Sequence, residues 1–346
     1  MSIVTYRREL HTLAEGGFCE FETSKYIKRV LALLGCEIMT LGKTGLAAYF
    51  DFGKNKTVAF RAELDALPIN EETGLEFAAR TGYMHACGHD GHMAMLLELC
   101  EIISERNTAK TNVLAIFQPG EELFGGAESV IKTDIFKNIK VDEMYTIHLR
   151  PNLTIGELYS TSGVIYCGSS EFDIAFLSNG GHIDANVTDA IECAARTIIY
   201  IKDELCTGDV RAISGVIHGG AARNISAPRA EISGTLRYFL PSSGENAKLK
   251  LTAFAEGQKC ACHVAIRDYA PPQNNSPELF LRYCINTLAS PLYFADDFSH
   301  YSKVIPKTLY VLLGAGDVAP LHTSKFDFDE NVLFSGVSFY KRILNI

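Results

Sequence analysis

Long hydrophobic runs are missing from this chain of 346 residues: stretches such as Val30–Leu34 and Tyr310–Leu313 fall far short of a membrane span. A secretory leader is not expected either, because the first residues run into Arg7–Arg8 before any apolar segment develops. Positive charge is the scarcer sign, with Lys+Arg 32 against Asp+Glu 41 and a formal net charge of −9. That balance argues against general binding to nucleic acid or anionic membranes, since phosphates and acidic lipids do not attract an acidic surface. The 10 cysteines are too sparse for a disulfide scaffold, and no fixed-period repeat is present. With 47% hydrophobic and 21% charged residues, disorder and low-complexity chains are excluded. The expectation is a soluble cytoplasmic protein whose cysteines serve as buried small hydrophobes, ligands or nucleophiles.

What is present reads as an α/β chain of two domains. Ser24–Leu34 has helical periodicity, Lys56–Leu64 reads as a strand, and His92–Ser104 again as a helix. Asn112–Phe117 and Met144–Leu149 are apolar strand-like runs, with a helix predicted over Gly126–Ile135 between them. Strands alternating with helices suggest crossovers and a largely parallel or mixed sheet. After about residue 157 the order becomes β-α-β-β-α-β, from Phe172–Leu177 to His263–Tyr269, which is the pattern of a two-layer α+β unit. The proline-containing stretch Tyr269–Pro277 reads as the exit from it. We therefore expect a catalytic domain built from residues 1–156 and 271–346, split by an inserted domain over 157–270.

The densest chemistry lies in His85–Ala86–Cys87–Gly88–His89–Asp90–Gly91–His92. Thiolate and imidazole suit zinc, and imidazole with carboxylate also suits manganese, cobalt or nickel. Gly88 between Cys87 and His89 permits a sharp turn that brings both side chains to one point. The alternative is a polar loop with Asp90 capping the following helix. A second cluster, Phe117–Gln118–Pro119–Gly120–Glu121–Glu122, puts two carboxylates after an apolar strand, where burial is costly without a cation. One of the pair could bind metal while its neighbour takes a proton from water; the alternative is an acidic helix N-terminus. His148, His182 and His322 stand at element ends, and acquire meaning only beside these clusters.

The strings Arg61–Ala62–Glu63–Leu64–Asp65–Ala66–Leu67–Pro68–Ile69, His85–Ala86–Cys87–Gly88–His89–Asp90 and Phe117–Gln118–Pro119–Gly120–Glu121–Glu122 together resemble the di-metal aminoacylase/carboxypeptidase superfamily. The Cys-Gly-His form is similar to its amidohydrolase branch, which holds hippurate hydrolases, indole-3-acetyl-amino-acid hydrolases and N-acetyldiaminopimelate deacetylases. Gly125–Gly126–Ala127, Gly180–Gly181–His182, Gly219–Gly220–Ala221–Ala222–Arg223–Asn224, Gly234–Thr235–Leu236–Arg237, Asp296–Asp297–Phe298–Ser299 and Leu321–His322–Thr323 extend the likeness in order along the chain. The resemblance implies a mixed-sheet catalytic domain between helices, with an inserted ferredoxin-like domain that acts as lid and dimerisation module. It implies cleavage of N-acyl amino acids, N-acetyl foremost, to a carboxylic acid and a free amino acid. A dipeptidase or carboxypeptidase of the same superfamily, or a non-catalytic metal-binding relative, is the alternative.

By position, the resemblance implies two divalent ions, zinc or manganese with cobalt or nickel as alternatives. Their ligands would be Cys87, His89, Glu122, His148 and His322, the cysteine bridging. Glu121 falls on the general base, and Asp65 on a residue that fixes a neighbouring ligand or water. His182 falls on a contact to the tetrahedral intermediate and Asn224 on one to the substrate carboxylate. Arg237 is a further carboxylate candidate, its Gly-Thr-x-Arg motif being readable as structural too. A homodimer through the inserted domain is implied, with a small-molecule substrate and neither nucleic acid nor membrane as partner.

The chain departs from the family pattern at Gly120, usually alanine, and after His182. There the usual Gly-Gly-His-Ala-Ala-x-Pro-His run becomes Gly181–His182–Ile183–Asp184–Ala185–Asn186–Val187, and the segment up to Asp189 is shortened. An altered specificity or a weakened activity follows as the expectation. Three rivals are set aside. Gly314–Ala315–Gly316–Asp317–Val318–Ala319 matches a dinucleotide fingerprint, but Pro320 interrupts the helix that such a site requires. A Cys87 nucleophile would leave Glu121, Glu122 and His322 without a role. The spacing in Cys260–Ala261–Cys262–His263 matches no standard zinc pattern.

Overall fold

Four runs of branched and apolar residues, Thr57–Glu63, Asn112–Gln118, Glu143–Pro151 and Thr308–Gly316, form the parallel centre of an eight-stranded sheet in the computed structural model. The structure describes residues 1–106, 110–182, 188–283 and 285–346. The central strands are almost wholly buried, as expected of parallel strands covered on both faces. Their spatial order is Asn112–Gln118, Thr57–Glu63, Glu143–Pro151, Thr308–Gly316. A hairpin of Glu37–Leu41 and Gly45–Phe50 extends one side antiparallel, and the short strands Leu158–Ser160 and Asn286–Thr287 extend the other.

The crossovers run in two directions. From Thr57–Glu63 the chain passes through the helix His89–Arg106 to Asn112–Gln118 on one side, and the next strand of the centre, Glu143–Pro151, lies on the other. Such a reversal opens a crevice beyond the carboxyl ends of the strands. The helix His89–Arg106 is buried on nearly all sides along its first two turns, because it packs on both Ile3–Leu13 and Val332–Leu344. Phe60, Leu96, Phe117, Tyr145 and Leu313 belong to the core between these helices and the sheet.

The chain divides into two compact units: Met1–Gly163 with Asn274–Ser290 and His300–Ile346, and Val164–Gln273 with Pro291–Ser299. In the second unit, Arg211–Gly219, Arg229–Tyr238, Gly168–Leu177 and Ala261–Ala270 make a four-stranded antiparallel sheet in that order. With the helices Ala190–Tyr200 and Pro241–Glu256 this is the ferredoxin-like β-α-β-β-α-β arrangement. Phe172, Ile174 and Phe176 alternate onto its covered face and meet Ala194, Ile232 and Leu251. Asp189 caps the first helix by accepting from the Ile191 amide at 2.8 Å. Pro291–Ser299 joins this unit through the amide of Cys167, which donates to Leu292 and Phe294 carbonyls at 3.2 and 2.9 Å.

The helix Ile3–Leu13, the Glu37–Phe50 hairpin and short strands such as Leu158–Ser160 went unread in the sequence, and the predicted helix Gly126–Ile135 ends at Ile131. Among the described residues no helix is long and apolar enough to cross a membrane. The second unit has a hydrophobic core of its own, so Phe176→Ala should cost about 3–5 kcal/mol of that unit's stability. Chemical denaturation followed by a probe in this unit would measure it, and a loss below about 0.5 kcal/mol would contradict the packing described.

Candidate metal centre

Charged and imidazole side chains gather in the first unit just past the carboxyl ends of its parallel strands. Asp65 follows Thr57–Glu63, Glu121 and Glu122 follow Asn112–Gln118, His148 lies near the end of Glu143–Pro151, and His322 follows Thr308–Gly316. Cys87 and His89 stand at the start of the helix His89–Arg106. Two glycines make the approach possible. Gly88 has φ +86°, and a Cβ there would meet Leu149 Cδ1 at 2.8 Å. Gly120 has φ +61°, and its Cβ would meet the Phe18 ring at 2.7 Å.

The Cys87 sulfur is the geometric centre of the group. It lies 3.4 Å from His148 Nε2 and 3.3 Å from His322 Nε2. Two sets of donor atoms with mutual distances within 4.8 Å share it, Cys87–His89–His148 and Cys87–Glu122–His322. Glu122 Oε1 is 3.3 Å from His322 Nε2, and Glu121 Oε2 is 3.9 Å from His89 Nε2. His322 takes φ +61°, uncommon for a residue with a side chain, and its amide donates to the Ala86 carbonyl at 2.9 Å. That bond ties the His322 loop to the Cys87 loop.

Asp65 organises two of these residues through different atoms. Its carbonyl oxygen accepts from His89 Nδ1 at 2.8 Å, which directs Nε2 into the shared space. Its carboxylate Oδ2 accepts the Glu122 amide at 2.9 Å. His148 is oriented in the same manner, with Nδ1 donating to the Leu149 carbonyl at 2.7 Å. Imidazoles pinned at one nitrogen with the other pointing into a shared space are the expected form of metal ligands.

The residues fit a divalent metal on two grounds. His89 Nε2, Glu122 Oε1 and Asp65 Oδ1 are buried without a hydrogen bond, each a cost of about 1–3 kcal/mol unless a cation meets it. Burial first, and then the charges of Glu122, Glu121 and Glu63, push the Cys87 thiol well above its ordinary range. A thiolate there requires a positive partner. Burial would lower His89, yet its bond to Asp65 and the charges of Glu63 and Asp65 raise it to about 10, so its Nε2 holds a proton that a bound cation would replace. An excess of buried negative charge thus stands in a space lined by thiol, imidazole and carboxylate, a donor set suited to zinc or a similar ion.

Of the residues singled out in the sequence, Cys87, His89, Glu121, Glu122, His148, His322 and Asp65 come together in the first unit. His182, Asn224 and Arg237 lie in the second unit. His182 is exposed and pairs with Ile225 in a two-residue antiparallel contact, beside the exposed Asn224. Arg237 is half-buried in the strand Arg229–Tyr238, opposite Ser169 and Arg211; burial raises the Cys167 thiol, and the Arg237 charge only partly opposes this. The altered run Ile183–Val187 lies outside the described residues.

Other buried polar groups surround the centre without having been assigned a part. Asp90 lies inside the first turn of the helix rather than capping it, and its Oδ2 receives His11 Nδ1 at 2.8 Å and Arg7 Nε at 3.2 Å. His11 Nε2 meets Glu71 at 3.0 Å, and burial keeps His85 near pKa 3 and therefore neutral. No sequence pattern marks His11 or Glu71, since their partners are distant in the chain. Arg61 and Glu63, by contrast, carry a signal in the sequence, two charges two residues apart on an otherwise apolar strand, which therefore share a face.

Residues 59–346 match the family model described as peptidase family M20/M25/M40. The chain is 32% identical to the N-acetyldiaminopimelate deacetylase of Leuconostoc citreum, covering 99% of this chain and 96% of that one. It is 31% identical to the protein of the same name from Lactococcus lactis subsp. cremoris, over 96% and 95% of the two chains. A solved structure from methicillin-resistant Staphylococcus aureus superposes with TM-score 0.90 at 27% identity, covering 99% and 96%. A Bacillus subtilis protein described as a dinuclear metal-binding peptidase of the M20 family gives TM-score 0.83 at 26% identity, covering 99% and 98%.

One consequence of the surrounding polar groups is measurable without metal. Burial would lower the His11 pKa, but its hydrogen bonds to Asp90 and Glu71 outweigh this and raise it to about 9. A group raised on folding stabilises fully below its unfolded value and loses that contribution as pH passes the folded one. The stability margin of wild type over His11→Leu should therefore be largest below about pH 6.5 and fall away through about pH 9. Denaturant titrations across this range read it, and a margin independent of pH would contradict the assignment.

Proposed function

The chain belongs to peptidase family M20/M25/M40, and from that premise we propose that it hydrolyses the amide of N-acyl amino acids, N-acetyl foremost, with two divalent metal ions. The observation that carries the reading is the pair of donor triads sharing the Cys87 sulfur, with the Glu121 carboxylate beside them. Cys87, His89 and His148 would hold one ion, and Cys87, Glu122 and His322 the other. Divalent ions, when bound, supply the positive charge that acidifies a water and polarises an amide carbonyl. Glu121 accepts the proton of the attacking water on its carboxylate and delivers it to the leaving nitrogen. Asp65 keeps His89 and Glu122 in place during the exchange, through the bonds to its carbonyl and carboxylate. In this reading His182 stabilises the oxyanion, and Asn224 and Arg237 receive the substrate carboxylate. The deacetylase names of the relatives support the acyl class, and the donors suit zinc through the thiolate, with manganese the alternative through imidazole and carboxylate.

The test is free-amine release from N-acetyl, N-benzoyl and N-succinyl amino acids by protein reloaded with manganese or zinc. Glu121→Gln should keep its metal and lose about 10²–10⁴ in kcat. Release only from dipeptides would favour a peptidase, and bound metal without any release would favour a binding protein.

The second unit supports a homodimer. Arg211–Gly219, 9 residues long, forms the sheet edge among the described residues, with Ile213, Val216 and Ile217 exposed along it. Exposed apolar edges invite pairing with another chain. Light scattering should give twice the 38.0 kDa chain mass, and a monomer at working concentration would refute the dimer.

A further inference from the structure

The metal-centre reading leaves a fully buried triad, Arg61, Glu63 and His92, with no part in binding or proton transfer. Its hydrogen bonds fix a single arrangement. His92 Nε2 lies 2.9 Å from the Leu149 amide, which can only donate, so this nitrogen accepts. The ring proton therefore sits on Nδ1, which donates to Glu63 Oε2 at 2.8 Å. Arg61 Nη1 holds the other Glu63 oxygen, and Arg61 Nε donates to Gln118 Oε1 at 3.0 Å. Tyr301 donates to the same Gln118 oxygen at 2.9 Å. The chain of bonds joins the carboxyl ends of three parallel strands to the first turns of the helix that carries His89.

Leu149 is the point where this scaffold meets the ligands. Its amide is held by His92, and its carbonyl receives His148 Nδ1 at 2.7 Å. His148 Nε2 then faces the Cys87 sulfur at 3.4 Å, and the His92 and His148 rings lie 4.6 Å apart. The Leu149 side chain also sits where a Cβ on Gly88 would go, beside the turn between Cys87 and His89. A displacement of Leu149 would therefore be felt by three donors of one triad.

We propose that His92 is a positioning residue of the metal centre, which sets His148 through the Leu149 amide while the buried Arg61–Glu63 pair holds its tautomer. The proposal rests on the metal-centre reading given above. Glu63, His89 and His92 also lie close enough together to hold an ion of their own. An ion there would cost His92 its Leu149 bond in either geometry, by taking the Nε2 lone pair or by binding Nδ1 and moving the ring proton to Nε2, so we assign His92 to orientation rather than to ligation.

The experiment strips wild type, His92→Gln and His92→Leu with a chelator and titrates each with cobalt(II). Ion count, affinity by competition with a chromophoric chelator, and the visible spectrum are read, with kcat and KM beside them. Glutamine keeps an acceptor for the Leu149 amide and a donor for Glu63, and leucine keeps neither. Wild type should bind two ions, and His92→Gln should match its spectrum with affinity within about threefold. His92→Leu should bind one ion about 10–100-fold more weakly, the usual cost of losing a ligand's orienting partner, with a changed spectrum and lower kcat at unchanged KM.

A wild-type spectrum and affinity in His92→Leu would overturn the proposal. So would loss of an ion in His92→Gln, or a third ion in wild type, since either makes His92 a ligand. A wild type that binds no cobalt contradicts the metal centre itself. Should circular dichroism show His92→Leu unfolded, the glutamine variant decides alone: wild-type spectrum and affinity support positioning, and a lost ion refutes it.

Discussion

The burial of a thiol among carboxylates is the constraint around which the first unit is arranged. Cys87 sits between two histidine nitrogens at 3.4 and 3.3 Å, close to the Glu121 and Glu122 carboxylates, in a place that burial makes hostile to negative charge. The buried Arg61 guanidinium does not offset that excess, being committed to Glu63 and Gln118. A site with unpaired buried lone pairs and surplus acidity is stable as a receptor for cations, and the M20 family membership accords with that. The parallel sheet supplies the geometry, because its strands deliver Asp65, the Glu121–Glu122 pair, His148 and His322 to the same end.

Orientation comes mainly from the main chain. The Asp65 carbonyl fixes His89, the Leu149 carbonyl fixes His148, and the Ala86 carbonyl anchors the His322 loop. Of these, Leu149 lies within the strand Glu143–Pro151, so the direction of His148 is tied to the sheet itself. Side-chain contributions, from the Asp65 carboxylate and from His92, adjust this frame. Such support matters because reacting groups misplaced by about 1 Å can lose about 10²-fold in rate.

Much of this was legible in the residues. Val58–Phe60 and Asn112–Phe117 are apolar enough to show as buried strands, and the second unit's alternating Phe172, Ile174 and Phe176 revealed its covered face. The helix Ile3–Leu13 was hidden because its buried face includes Arg7 and His11, whose partners Asp90 and Glu71 are far away in the chain. The hairpin was hidden because Glu37–Leu41 is short and only partly buried. For the site, family likeness named the candidate donors that the described structure brings together, but spacing says nothing of convergence in space. Which imidazole nitrogen is free depends on carbonyls at 65 and 149, which carry no mark in a sequence.

The most direct test of the account is anomalous diffraction from crystals grown with zinc or manganese. The shared sulfur predicts two peaks in the first unit, roughly 3.5–4 Å apart. Cys87 Sγ should bond to both, with His89 and His148 on one and Glu122 and His322 on the other. A single peak, or two peaks of which one lies out of reach of Cys87, would contradict the claim that this thiolate joins two metal positions.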